Sequence, residues 1–333
     1  MSKKKSKGHS VPVNHLQAAI LKKAKKTLPQ NISFVDQLAD LLNVSKDSSY
    51  RRINGDTGIT IEEMELICKH YNLSIDHLLF PENKNISFLN SPPAIQTVDS
   101  WLKTILKQFE TLVTSDKTEL SILAKDLPVF YFFGYPRLTS FKIFLWSKSV
   151  LDRPDFLNLK FDRKHIPAEL SILATKIWSN FMAVPSCEIW TSQTFLSTLK
   201  QIDYYVDCGY FTHEEEPLFL YEEYIKMLED ISEFARQGQK NPLQGKLKLF
   251  QNEYLSLDNT LHVKTNDTEI TFINYNSVSY LSTTNSEFCK NTKNYFHQIQ
   301  KHSVQISLTG ERERNKFFNA MISEIQKRID SKS

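Results

Sequence analysis

A chain of 333 residues with 41% apolar and 24% charged side chains is long enough for two or three domains and too apolar to be disordered throughout. Its 8 glycines form neither Gly-x-Gly-x-x-Gly nor Gly-x-x-x-x-Gly-Lys, and its 4 cysteines never stand as Cys-x-x-Cys, which excludes the common phosphate-cradling loops, zinc fingers and thioredoxin-type sites. The net charge of +3 is unevenly spread: residues 1–55 hold 11 Lys/Arg against 3 Asp/Glu, and the other 278 hold 30 against 35, so a basic end precedes a mildly acidic body and a polyanion is the first partner to consider.

Residues 1–14 read as a basic, disordered arm containing Lys3, Lys4, Lys5 and Lys7. No apolar stretch or small-residue cleavage site follows, so the arm does not read as a signal peptide. The longest apolar run, Leu127 to Phe133, is too short to cross a bilayer. A cytoplasmic protein with reduced thiols and no membrane partner is expected.

Leu16, Ala19, Ile20 and Ala24 share one face of a first helix whose other positions include Lys22, Lys23, Lys25 and Lys26, and Pro29 ends it. Ser33 caps a second helix with Val35, Leu38, Ala39 and Leu42 at helical spacing. Ser45 caps a third, from Lys46 to about Ile53, with Tyr50 and Ile53 expected inward and Asn54-Gly55 as its stop. Thr60 and Glu63 form a capping box for a fourth, with Ile61, Met64, Ile67, Cys68 and Tyr71 expected on the buried side. Ser74 opens a short fifth helix through Ile75, Leu78 and Leu79. Five short helices within residues 15–80, two of them joined by a tight turn, predict an all-α bundle.

The stretches Leu38-Ala-Asp-Leu-Leu-Asn-Val-Ser45, Ile53-Asn-Gly55, Ile61-Glu-Glu-Met64, Cys68-Lys-His-Tyr71 and Leu73-Ser-Ile-Asp-His-Leu-Leu79 resemble the phage-repressor or Xre-type helix-turn-helix domain. Val44-Ser-Lys-Asp-Ser-Ser-Tyr-Arg-Arg-Ile53 is closer still to the BetR-like group of bacterial regulators, although the stretch from Val44 to Tyr50 is longer than in the commonest repressor pattern. The resemblance covers residues 15–80 and implies a bacterial transcriptional regulator that binds double-stranded DNA. The residues agree with that implication. Lys46, Asp47, Ser48, Ser49, Arg51 and Arg52 are the base-reading candidates, because short polar and basic side chains suit a helix lying in the major groove. Lys22, Lys23, Lys26, Ser45 and Asn54 are candidate phosphate contacts. Binding as a homodimer on half-sites about 34 Å apart is expected. A bundle that binds a protein, controlling another regulator, is the alternative, and salt dependence separates the two.

Residues 81–96 are polar and rich in turn formers, and read as a linker. Beyond them the sequence predicts a larger α+β domain, mostly helical over 97–240 and ending, over 241–333, in an antiparallel meander and two helices. Helical patterns occupy about 97–113, 116–125, 135–151, 167–182, 191–207 and 213–237, the last opened by a capping box at Thr212 and Glu215. Strands are expected at Leu247–Leu255, Leu261–Thr265, Ile270–Tyr275 and Val278–Ser282, with Asn and Asp between them as turn formers. The aromatic block from Val129 to Trp146 reads as core, with a ligand pocket or dimer interface as the alternative; Trp178, Phe181 and Trp190 read as core, and the stripe Phe318, Ile322, Ile325, Ile329 as a helix face packed on the sheet, with pairing to a second subunit as the alternative. His213-Glu-Glu-Glu216 is no zinc motif, because position 217 is Pro where a second His is needed. No catalytic set, cofactor motif or metal site is recognised, so the chain is expected not to be an enzyme. The larger domain is expected to sense an unknown small-molecule or protein effector, or to mediate assembly.

Overall fold

Helix boundaries in the basic end follow the capping residues. The computed structural model describes residues 15–28, 32–71, 73, 75, 86–91, 97–115, 117–240, 245–266, 268–276 and 279–331, and its contacts divide the chain into two units, 1–85 and 86–333. In the first unit lie α1 (His15–Lys26), α2 (Phe34–Leu42), α3 (Lys46–Asn54) and α4 (Ile61–Tyr71). Ser33, Ser45 and Thr60 each accept a hydrogen bond from a backbone N–H three residues on, at 3.4, 3.2 and 3.2 Å. Asn43 ends α2 in the left-handed region at φ 51°, which Asn tolerates better than most side chains, and Gly55 ends α3 at φ 82°. Ile20, Leu21, Ala24, Phe34, Leu38, Leu42, Ile67 and Tyr71 form the core of this unit.

On α2 and α4 one expectation each needs correction. Phe34, with Leu38, Ala39 and Leu42, makes the buried face of α2, while Val35 is only half-buried. Ile61 sits in the first turn of α4 and is 82% exposed. The arm 1–14 and most of the fifth helix expected near Ser74–Leu79 lie outside the described residues.

The second unit is built on one mixed sheet. Its strands are β1 (Leu89–Ser91), β2 (Glu119–Ala124), β3 (Ser186–Trp190), β4 (Leu247–Gln251), β5 (Thr260–Lys264), β6 (Glu269–Asn274), β7 (Tyr280–Thr283) and β8 (Val304–Gln305), in the order β1-β7-β6-β5-β2-β3-β4-β8. The neighbours β2, β3 and β4 run parallel, and the remaining pairs are antiparallel. Its helices are α5 (Val98–Thr114), the short α6 (Val129–Phe132), α7 (Pro136–Leu145) with a π turn after it, the short α8 (Pro154–Leu157), α9 (Ala168–Ala183), α10 (Leu196–Asp207), α11 (Glu216–Gln237), α12 (Ser286–Lys301) and α13 (Glu311–Asp330). Alternate strand residues face two cores. Leu120, Ile122, Trp190, Leu247 and Leu249 join the main core, whereas Leu123, Ile189 and Phe250 meet Phe296 and Ile299 of α12 on the other side. No helix of the described residues is long and apolar enough to cross a membrane.

This α+β architecture overturns several local expectations. Residues 119–124, read as helical, are the strand β2, and β3 was not expected at all. Strand β4 is no part of the meander, since it lies parallel to β3 while β5, β6 and β7 form the antiparallel run. Leu89–Ser91, expected in the linker, pairs with β7 at the sheet edge. The cap of α11 is Glu215 without a side-chain bond, so the expected box with Thr212 is not formed. The stripe on α13 joins the main core and lies chiefly against α11 rather than the sheet. The aromatic block is core as read: Tyr131, Phe132, Phe133, Phe141, Phe144 and Trp146 are all buried.

Glu188, Lys240 and Lys142 are among the ionisable side chains buried in this unit. Glu188, at the centre of β3, accepts hydrogen bonds from Tyr131 Oη at 3.0 Å, Ser186 Oγ at 2.6 Å and Trp190 Nε1 at 3.0 Å. Lys240 places Nζ 3.7 Å from the centre of the Phe181 ring and has no hydrogen-bond partner among the described residues. Lys142 Nζ donates to Thr198 Oγ1 and Gln201 Oε1, both at 2.7 Å. Burial pushes both lysines down to about 7, because removing an ammonium from water disfavours its charged form.

Candidate nucleic-acid interface

The rotation of α3 about its own axis decides which of its side chains meet the outside. Ser49 is fully buried, and its hydroxyl donates to the Val35 carbonyl oxygen on α2 at 3.0 Å. Tyr50, expected inward, is instead 56% exposed. Seating Ser49 with Ile53, one helical turn on, leaves Lys46, Asp47, Tyr50, Arg51 and Asn54 as the exposed face. These positions are separated by one, three, one and three residues, which is a continuous stripe on an α-helix.

Arg52 lies off that stripe and is engaged by the bundle. Its Nε donates to Glu63 Oε2 at 3.0 Å, its Nη2 to Glu63 Oε1 at 2.8 Å and its Nη1 to the Ser48 carbonyl at 3.2 Å. Glu63 also accepts from the Thr60 N–H at 3.2 Å, completing the expected capping box. The Arg52 guanidinium, with the Thr60 N–H, holds the Glu63 carboxyl below its ordinary value against the opposing effect of burial. Of the six base-reading candidates, therefore, Ser49 is withdrawn because its hydroxyl is buried, and Arg52 because its fork is occupied. Ser48 is half-buried, and its hydroxyl accepts from Ser45 Oγ at 3.0 Å. Lys46, Asp47 and Arg51 remain on the outer face.

A buried glutamine holds α3 from the opposite side. Gln17 of α1 is 3% exposed, yet its amide is satisfied: Nε2 donates to the carbonyls of Arg52 at 2.8 Å and Thr57 at 2.9 Å, and Oε1 accepts from the Ile59 N–H at 3.0 Å. One side chain thereby fastens α1 to the end of α3 and to the turn before α4. A polar residue inside the apolar face Leu16, Ile20, Leu21 and Ala24 was the sequence signal for such a clamp.

Positive charge surrounds this frame. Lys46 Nζ lies 2.9 Å from Asp36 Oδ1, and that hydrogen bond raises its pKa. Both side chains are largely exposed, so the pair is weak and Lys46 is able to exchange Asp36 for an external anion. Arg51 has no ion pair among the described residues, and neither have Lys22, Lys23, Lys25 and Lys26, all exposed on α1. These lysines lie about one and a half to two and a half helical turns beyond Gln17. Ser45 is exposed but occupied as the cap of α3, and Asn54 closes the stripe near Gly55.

Elsewhere the described residues contain no group of three or more His, Cys, Asp or Glu side chains placed to hold a metal ion. An open groove between α12 and the β4–β8 edge is lined by His297, Gln298, Lys301, Phe250 and Gln305. Comparison with family models, with curated proteins and with solved structures found no match to this chain.

Proposed function

We propose that the N-terminal unit is a sequence-specific reader of double-stranded DNA, in which α2 and α3 act as a helix-turn-helix and α3 enters the major groove. The chain is then a transcriptional regulator whose C-terminal unit senses an effector or mediates assembly, and it binds as a homodimer to half-sites about 34 Å apart. One observation carries this reading: the exposed stripe Lys46, Asp47, Tyr50, Arg51 and Asn54 runs the length of a helix capped at both ends. A reading helix needs its outer side chains free and its axis fixed. Arg51 is free to form the two-bonded contact with guanine O6 and N7, while Gln17 and Arg52 fix the axis. The Xre-type and BetR-like resemblance and the charge imbalance point the same way.

Selection of bound duplexes from a random pool by the full chain, sequenced at two salt concentrations, tests the proposal. A recovered motif with two-fold symmetry, and binding that weakens steeply with salt, is the expected result. Recovery of no motif at either salt would overturn sequence reading by α3. Absence of any binding would shift the bundle to the protein-interaction reading.

A further inference from the structure

Tyr50 is an aromatic side chain in the middle of an otherwise polar stripe. The residue is 56% exposed, and among the described residues its side chain makes no hydrogen bond, ring contact or cation–π contact. The other apolar side chain of α3, Ile53, packs against the core of the bundle. Tyr50 is thus the only apolar surface that the outer face of α3 offers, one turn from Lys46 and one turn from Asn54.

The major groove contains one apolar feature to match it. Base edges there present nitrogen and oxygen donors and acceptors, except for the C5-methyl group of thymine. An exposed phenol ring gains nothing by facing the polar edges of guanine, cytosine or adenine, which it would strip of water without replacing their hydrogen bonds. Against a methyl group both partners lose apolar surface to water. Resting on the reading of α3 as the groove-entering helix, we infer that Tyr50 is a specificity-determining residue that selects thymine through its C5-methyl group, at one position in each half-site. The contact is made by the ring face or edge and does not require the hydroxyl.

Deoxyuridine lacks only that methyl group and keeps the same base-pairing edge, so it isolates the contact. In the operator recovered by selection, each thymine is replaced singly by deoxyuridine, and binding is measured for the full-length wild type, Tyr50→Phe and Tyr50→Ala. At one position per half-site, wild type and Tyr50→Phe are expected to lose about fourfold in affinity, the worth of one buried methyl-sized group. Tyr50→Ala should bind thymine and deoxyuridine there alike. Because Tyr50 is exposed, circular dichroism of both variants should match wild type.

The inference is overturned if no thymine is sensitive, or if the sensitive position stays equally sensitive in Tyr50→Ala, while the operator motif itself survives. Equal weakening of thymine and deoxyuridine sites by Tyr50→Phe would also overturn it, by making Tyr50 a phosphate ligand through its hydroxyl. Failure to recover any motif is a different result. It removes the reading of α3 on which the inference rests.

Discussion

Arg52 and Glu63 meet in a two-bonded fork, Nε to Oε2 at 3.0 Å and Nη2 to Oε1 at 2.8 Å, that fastens α3 to the start of α4. Both side chains are mostly buried, at 15% and 16% exposure, so the pair is screened less than a surface salt bridge. Glu63→Gln is expected to destabilise the N-terminal unit by about 1–2 kcal/mol, through loss of a charged acceptor for two hydrogen bonds. All 4 tryptophans lie beyond residue 85, so this unit should melt as a change in helical circular dichroism without a change in tryptophan fluorescence. The pH dependence has a definite sign. A carboxyl held below its ordinary value of 4.5 stabilises the fold above that value and loses the contribution as pH falls through the lower folded value. Acid titration of wild type should therefore show a loss below about pH 4.5 that is smaller in Glu63→Gln.

Neighbouring arginines should separate in their effects. Arg51→Ala is expected to leave thermal unfolding unchanged and to relax sequence preference at one base pair by about 1–3 kcal/mol. Arg52→Ala should lower the stability of the bundle, and its effect on DNA should follow that loss. Parallel melts and competition binding with point-mutated operators would show it; a stable Arg52→Ala with selectively altered base preference would contradict the assignment.

Replacing Lys22, Lys23 and Lys26 together with Ala should weaken all duplexes alike. If each of the three neutralises a phosphate, the slope of log affinity against log salt becomes shallower by about 2.7, roughly 0.9 per contact. Titrations at four or five salt concentrations, on operator and on random duplex, give that slope directly.

Gln17→Ala should be more disruptive than its size suggests. It leaves two carbonyls and one N–H without the partner they have in a site that is almost closed to water, at a cost of about 2–4 kcal/mol for the set. Gln17→Glu tests the donors alone, since it keeps the acceptor for Ile59 N–H and places a carboxylate against two carbonyls. Both variants should melt earlier than wild type by circular dichroism, Gln17→Glu at neutral pH at least as early as Gln17→Ala.

In the C-terminal unit, Lys142 and Lys240 give stability that rises with pH. Each is lowered to about 7 in the folded chain from an ordinary 10.5. Between those values the unfolded chain binds the proton and the folded chain does not, so each lysine adds up to about 1.4 kcal/mol per pH unit as pH rises. Below pH 7 both states are protonated and the dependence vanishes. A neutral Lys142 amine also suits its setting, because its two N–H groups match the two acceptors Thr198 Oγ1 and Gln201 Oε1. Tryptophan-detected urea unfolding at pH 7 and pH 9 should show the larger stability at pH 9, and Lys240→Met should reduce the difference.

Local signals were legible and partnership was not. Ser33, Ser45, Thr60 with Glu63, and Gly55 mark helix ends because a cap needs only its own neighbours. A hydrophobicity pattern favours Tyr50 over Ser49 for the inward side of α3, whereas Ser49 is the side chain fully buried there, with its hydroxyl on the Val35 carbonyl. Strand β2 reads Glu-Leu-Ser-Ile-Leu-Ala, a short apolar run without strict alternation that a buried helix also permits. In β3, Glu188 interrupts the apolar pattern, and the donors that make its burial tolerable include Tyr131, distant in sequence. The meander β5 to β7 was visible, since its strands alternate and their Asn and Asp turns lie between adjacent partners. For the candidate interface, residue types singled out α3, but the division between free Arg51 and engaged Arg52 depends on where α4 brings Glu63.

The place of β3 in the sheet also sets an order of events in time. Its partners β2 and β4 are each about 60 residues away along the chain, so the centre of the C-terminal unit forms only after two long loops have closed. The N-terminal bundle joins helices that follow one another directly, and chains dominated by such local contacts fold orders of magnitude faster than those with distant strand pairing. Synthesis delivers that bundle first, while β4 is still to be made. On a nascent chain the helix proposed to read DNA is therefore complete before the unit proposed to govern it exists.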